Sequence, residues 1–254
     1  MGEVIDDLVR FQFFGEESLP KLMNRFQPFS FGQGHDAREH LCGNAHSHDS
    51  GILDQSACAA RKACGAGQYA VCTACHGPNG EGNPALNAPR LAGQEAWYVR
   101  RQIHGFRDGL RGAHERDTFG AQMRAFAAML PDETAIRNLS AYIESLPGHD
   151  QQATVTGNVG RGERLYATCA SCHGRQGEGI WALNAPRLAD MSDWYLVRQL
   201  QNFQHGIRGA TAGDHYGWQM ATMADSLKDE RSINDVVAYI NTLDAEPVHT
   251  ARKD

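Results

Sequence analysis

The sequence predicts an all-α chain of two tandem helical domains behind an N-terminal extension, and three observations carry that prediction. The first is an internal repeat. Sliding the 254-residue chain by 97 positions aligns Cys72–Leu146 with Cys169–Leu243 without a gap, and about half of the aligned residues are identical. The second is helical periodicity, clearest where Ile136, Leu139, Ile143 and Leu146 fall on one stripe and Ile233, Val236, Ile240 and Leu243 repeat it. The third is the character of the intervening segments, Gly77 to Pro89 and Gly109 to Gly120, which are rich in glycine and proline and read as neither strand nor helix.

In chain order, residues 1–60 form the extension, 61–148 the first domain, 149–160 a short polar linker, 161–246 the second domain and 247–254 a tail. Upstream of the strong match the repeat continues as Gly65 with Gly162 and Tyr69 with Tyr166, which gives each unit some 85 residues. Within a unit, Gln94 to Asp108 and its counterpart Met191 to His205 lack proline and carry apolar residues at helical spacing. The last helix of the first unit is expected to open at Pro131, a residue suited to the first helical position, with Asp132 and Glu133 at the positive helix end. A unit this short, with many positions given to glycine and loop, has little apolar core of its own and calls for a metal, a disulfide or a prosthetic group.

Composition narrows the function. No apolar run approaches the roughly 20 residues of a membrane span. The 24 Lys and Arg against 30 Asp and Glu give a net charge of −6, which argues against nucleic acid as a partner. Most of the excess is local, since residues 1–57 hold nine acids and four bases. Seven cysteines cannot all pair internally. Four of them lie in two matching frames, Cys72-Thr-Ala-Cys75-His76 and Cys169-Ala-Ser-Cys172-His173, while Cys42, Cys58 and Cys64 stand apart.

Cys-x-x-Cys-His is the attachment signature of a c-type haem: two thiols one helical turn apart add to the vinyl groups as thioethers, and the adjacent histidine ligates iron. A four-sulfur zinc site or a thioredoxin-type pair would also use Cys-x-x-Cys, but neither explains a histidine in the same place twice. The expectation is two covalently bound haems c, with His76 and His173 as iron ligands. Four methionines compete for the remaining axial position, Met123, Met129, Met220 and Met223. Only Met123 and Met220 coincide under the shift, each closing a Gly-x-Gln-Met frame expected on a loop before the last helix, whereas Met129 matches Ser226 and Met223 matches Phe126. Met123 and Met220 are therefore the expected ligands. His104, His114, His205 and His215 are rivals that match no histidine under the shift.

Residues 65–246, through the order Cys-x-x-Cys-His, Ala-Pro-Arg-Leu-Ala, Trp-Tyr with Arg-Gln, Gly-x-Arg-Gly and Met, resemble two fused class I cytochrome c domains of the di-haem c4 type. The resemblance implies an all-α fold of two tandem domains with long loops around covalently bound haem. It also implies that Pro89 and Pro186 present backbone carbonyls to the histidine Nδ1–H, and that haem propionates face the domain interface. Arg90/Arg187, Arg101/Arg198 and Arg111/Arg208 are shared basic positions that suit either propionate pairing or ordinary surface pairing.

An electron carrier is the expected function, passing single electrons from a respiratory donor complex to a terminal oxidase or other acceptor, with possible membrane-complex association and no small-molecule substrate. The alternatives are the cytochrome subunit of a sulfur-compound or alcohol dehydrogenase, and a di-haem peroxidase. The resemblance implies a periplasmic location, although Met1 to Pro20 shows no signal peptide, with Glu3, Asp6 and Asp7 interrupting any apolar stretch. The extension holds six phenylalanines and a run with His35, His40, Cys42, His46 and His48, and is read as a docking or poorly ordered arm, with an accessory metal site as the alternative.

Overall fold

A computed structural model describes residues 55–147 and 152–244; the extension's His/Cys run, with Cys42, and the C-terminal tail lie outside the described residues, as does the side chain of Cys58. The described chain is helical, with no strand among the described residues and only two isolated bridge pairs, Asn83 with Ala88 and Ile180 with Ala185. The first repeat contains α1 (Gln55–Tyr69), α2 (Thr73–His76), α3 (Ala96–Arg107), α4 (Thr118–Ala128) and α5 (Glu133–Glu144). The second contains α6 (Val159–His173), α7 (Asp193–Gln204), α8 (His215–Ala224) and α9 (Glu230–Ile240). In the second repeat one continuous helix replaces the broken α1–α2 pair.

Several boundaries differ from the expected ones, and the caps say why. The last helix of the first repeat opens at Glu133 rather than Pro131, because the Asp132 side chain accepts from Ala135 N–H as the N-cap. The long middle helices begin at Ala96 and Asp193, two residues later than read. The loop Gly77 to Pro89 contains a 3₁₀ turn at Pro84–Leu86. Helix α1 starts inside the segment read as extension, and α6 starts inside the segment read as linker, where Asn158 caps Arg161 N–H.

The largest correction concerns the matched methionines. Met123 and Met220 lie on helices α4 and α8, not on a loop. Asp117 and Asp214 cap these helices by accepting from Gly120 and Gly217 N–H, so helix begins within the stretch that glycine had marked as loop. The glycine reading failed because these glycines serve close approach. A Cβ on Gly112 would stand 2.2 Å from the Gly120 carbonyl oxygen, and one on Gly209 would stand 2.3 Å from that of Gly217.

Each repeat is closed by its first and last helices. Tyr69, Ile136, Leu139 and Ile143 are buried in one core, and Tyr166, Ile233, Val236, Val237 and Ile240 in the other. The helices cross at a glycine, since a Cβ on Gly65 would lie 2.2 Å from Asn138 O and one on Gly162 would lie 1.9 Å from Asp235 O. Backbone cannot yield as a flexible side chain can, so Gly162→Ala is expected to destabilise the second domain by about 1–3 kcal/mol. Calorimetry checks this against Gly160→Ala, whose methyl meets nothing closer than Asn158 Oδ1 at 3.7 Å and whose unfolding temperature should hold or rise.

Candidate functional site

The first site is built on the turn that follows Tyr69. Cys72 N–H donates to Tyr69 O at 2.8 Å, and His76 N–H donates to Cys72 O at 2.8 Å, so one helical turn carries both thiols and the imidazole. The buried Tyr69 hydroxyl donates to Gly77 O at 2.8 Å and pins the far end of the turn. Tyr166 and Gly174 repeat that bond at the same length.

The two histidines are the most constrained groups in these turns. His76 and His173 are 6% and 5% exposed, and each Nδ1 lies 2.7 Å from a proline carbonyl oxygen, Pro89 for His76 and Pro186 for His173. A carbonyl oxygen only accepts, so Nδ1 carries the proton and Nε2 keeps its lone pair. Burial lowers the pKa of both imidazoles, which favours the neutral form that a metal requires.

The thiols are unlike those of a redox-active dithiol. Burial, reinforced in second place by Cys75, pushes the Cys72 thiol up to about 11, and burial pushes Cys169 to the same value. A thioredoxin-type nucleophile has its pKa depressed. Among the described residues no group of three or more His, Cys, Asp or Glu side chains is gathered to hold a metal ion, which removes the four-sulfur zinc arrangement for the two frames.

Cys72 and Met123 both pack against the core of the first domain, as Cys169 does against that of the second. Met123 and Met220 are half-buried, whereas Met129 and Met223 are 65% and 44% exposed. Of the rival histidines, His104 pairs with Glu133 at 2.9 Å on the surface, and His205 Nδ1 donates to Gln201 O of its own helix.

The shared arginines divide into two kinds. Arg90 and Arg187 are buried, with Nε donating to Ala92 O and Ala189 O of their own loops, and Arg187 also pairs with Asp190. The others cross between domains in mirrored pairs. Arg101 donates to Asn184 Oδ1 and O, and Arg198 to Asn87 Oδ1 and O. Arg111 reaches Tyr195 and Gln199, while Arg208 reaches Tyr98 and Gln102. Arg101 lies over Trp97 and Tyr98 and also over Tyr216 of the second domain; Arg198 does the same with Trp194, Tyr195 and Phe119. Aromatic faces and bidentate carbonyl contacts both suit a guanidinium.

Sequence reasoning missed the partners of these arginines. Asn87 and Asn184, at φ 56° and 55°, end the 3₁₀ turns in the left-handed region and offer both their oxygens across the interface. Their signal was present in the identical Ala-Leu-Asn-Ala-Pro-Arg-Leu-Ala stretches, where the asparagine had no assigned role.

The donor set fits a covalent haem in each domain: a thiol pair beside a buried neutral imidazole, oriented by a carbonyl that fixes its tautomer. Comparison with known proteins agrees. The family model described as Cytochrome c matches residues 63–147 and again 159–244. A cytochrome c4 of Azotobacter vinelandii is 32% identical over 203 residues, covering 74% of this chain and 92% of its own. A thiosulfate dehydrogenase electron acceptor of Stutzerimonas stutzeri (strain A1501) is 33% identical over 166 residues, covering 61% and 73%. Among solved structures, reduced recombinant cytochrome c4 from Pseudomonas stutzeri superposes with a TM-score of 0.58 at 26% identity, covering 72% of this chain and 98% of the other. The chain binds two haems c, one per matched domain. With one family model matching both halves and a cytochrome c4 aligned along nearly its whole length, the chain belongs to the cytochrome c family as a di-haem cytochrome of the c4 type.

Proposed function

We propose that this di-haem electron carrier passes single electrons from a respiratory donor complex to a terminal acceptor such as an oxidase, in the bacterial periplasm, with His76 and Met123 ligating one iron and His173 and Met220 the other. Cys72 and Cys75 tether the first haem and Cys169 and Cys172 the second, within domains spanning 61–148 and 161–246. The observation that carries this reading is the pair of 2.7 Å histidine–proline carbonyl bonds, matched in both domains and each accompanied by a half-buried methionine on a capped helix.

Bound haem supplies a one-electron ferric/ferrous couple. The residues of the chain set how that couple behaves. Pro89 and Pro186 orient the imidazoles and raise their basicity. A methionine thioether, as Met123 and Met220 would supply, would favour the reduced state of the bound haem and leave no open position for peroxide. Arg90 and Arg187, buried next to those prolines in the chain, are the basic groups that would pair with haem propionates. No helix among the described residues is long and apolar enough to cross a membrane.

A second reading, the electron-accepting subunit of a dehydrogenase, is favoured by the likeness to the thiosulfate dehydrogenase electron acceptor. Stopped-flow mixing separates the two, with the reduced holoprotein mixed with an oxidase and the oxidised holoprotein mixed with a thiosulfate-oxidising partner. Rapid oxidation by a terminal oxidase supports the carrier reading. Reduction by a thiosulfate-oxidising partner without oxidase turnover supports the second, and peroxide binding to the resting protein overturns both.

A further inference from the structure

We propose that Glu95 of the first domain is a positioning residue for the second domain's histidine ligand, acting through a single peptide bond and coupling a proton to the electron held there. The inference rests on the reading that His173 ligates iron. Glu95 precedes α3 as its N-cap residue, yet its side chain makes no capping bond. Its carboxylate instead enters the second domain, where Oε2 accepts from Arg187 N–H at 3.4 Å. Gly179, at φ +82°, makes the room: a Cβ there would stand 2.8 Å from Glu95 Oε1.

Arg187 N–H belongs to the same peptide unit as the Pro186 carbonyl, and that carbonyl accepts from His173 Nδ1 at 2.7 Å. The three groups form a short relay of carboxylate, peptide and imidazole. A negative charge on the amide N–H side increases electron density on the carbonyl oxygen, which then draws harder on the Nδ1 proton. An imidazole whose proton is drawn away is a stronger donor to iron and favours the ferric state. Protonating Glu95 relaxes the relay and favours the ferrous state.

The repeat supplies an internal comparison. In the first domain the corresponding peptide joins Pro89 to Arg90; Pro89 O accepts from His76 Nδ1 at 2.7 Å, and Arg90 N–H donates to Ser192 Oγ at 3.0 Å. Ser192 is the residue equivalent to Glu95 under the 97-residue shift. Both relays have the same connectivity and the same 2.7 Å inner bond, with an outer bond of 3.0 Å in the first domain and 3.4 Å in the second, but only the second ends in an ionisable group.

The surroundings place that group's titration in a usable range. Glu95 is 8% exposed, and burial pushes its carboxyl up to about 7; the nearby Glu144 carboxylate of α5 acts in the same direction. Hydrogen bonding to the backbone N–H groups of Glu95 and Arg187 works against burial, as does the charge of the Arg187 guanidinium, which also pairs with Asp190 and donates to Ala189 O in its own loop. Each electron that the second domain takes from its donor partner therefore draws up to one proton from solvent, which forms the O–H bond of the Glu95 carboxyl. Lowered positive charge at the iron and a neutral carboxyl favour each other, so the potential falls as pH rises through neutrality.

Spectroelectrochemical titration of the holoprotein, about 1.5 pH units either side of neutrality, tests this. The two haems are told apart by the signals lost in M123A and in M220A. The expected result is a steeper fall of potential with pH for the second haem than for the first, with Glu95→Gln removing the excess and leaving the first haem unchanged. Ser192→Glu in that background is expected to move the slope to the first haem. Equal slopes in the wild type, or an undiminished slope in E95Q, overturn the proposal. If E95Q does not fold, the wild-type Nδ1–H resonances decide: His173 must shift with pH more than His76 does, and equal shifts overturn the proposal. A spectrum lacking histidine ligation overturns the ligand assignment instead, and is read separately from the slope.

Discussion

A chain in which Cys169 and Cys172 are both replaced by alanine is expected to carry about half the covalent haem of the wild type and to lose the folded second domain. The core of that domain is short, and Cys169 is among the side chains that complete it from the edge. An ~85-residue unit with so much glycine and loop does not bury enough apolar surface to offset the conformational entropy of ordering it. The tether matters beyond the bonds themselves. A prosthetic group that binds the folded state stabilises it by mass action, and a covalent one cannot be lost by dilution. The first domain should retain its haem, because its own turn, from Tyr69 through Gly77, makes no use of the second pair. A haemochrome assay per mole of protein, with intact mass, checks the stoichiometry. Two haems per chain after the double substitution would show that the Cys169 frame is not an attachment site.

What the sequence made legible was whatever is local or repeated. The haem frames lie within five residues, and the last helices show their apolar stripe in one segment, so periodicity and spacing suffice for both. The interface was illegible in detail because its contacts span most of the repeat: Arg101 meets Asn184 and Arg198 meets Asn87, and no local pattern announces the partner. The methionine helices were misread for a different reason. Their sequence carries glycine three residues after an aspartate, and that glycine is a close-approach residue inside a capped helix rather than a breaker.

Differences between the repeats are as informative as the identities. Ala96 N–H donates to Glu144 Oε1 in the first domain. At the equivalent positions of the second domain stand Asp193 and Asn241, with Asn241 Nδ2 donating to Asp193 Oδ2. The acid has changed helix, and the aspartate also accepts from Thr154 and Val155, which ties the segment joining the domains to α7. Those bonds, opposed by burial, hold the Asp193 carboxyl below its ordinary pKa. Glu95 and Ser192 diverge in the same manner, one position earlier in each repeat. The duplicated scaffold thus keeps the haem turns alike and varies the residues that surround them.

The larger functional effect is expected from Met123 and Met220, the two methionines proposed as iron ligands. Met123→Ala or Met220→Ala should remove the methionine–iron charge-transfer band from one haem and lower its potential by on the order of 0.1–0.3 V, within the ~0.8 V that axial ligands span. The direction follows from the chemistry of sulfur. A thioether is a weak donor to ferric iron and a good partner for ferrous iron, so its loss, with water or hydroxide in its place, favours oxidation. The vacated position would also bind external ligands, and peroxide or cyanide should titrate one haem per chain in either variant. Met129→Ala and Met223→Ala are the controls, since both residues are exposed and neither is matched by a methionine across the repeat. Optical and potentiometric titration of the four variants separates the cases. If the control pair lost the band and the matched pair kept it, the ligands would lie at the C-cap of α4 and three residues further along α8. In that event the 97-residue register, which selects Met123 and Met220 together, would no longer describe how this chain places its second ligand.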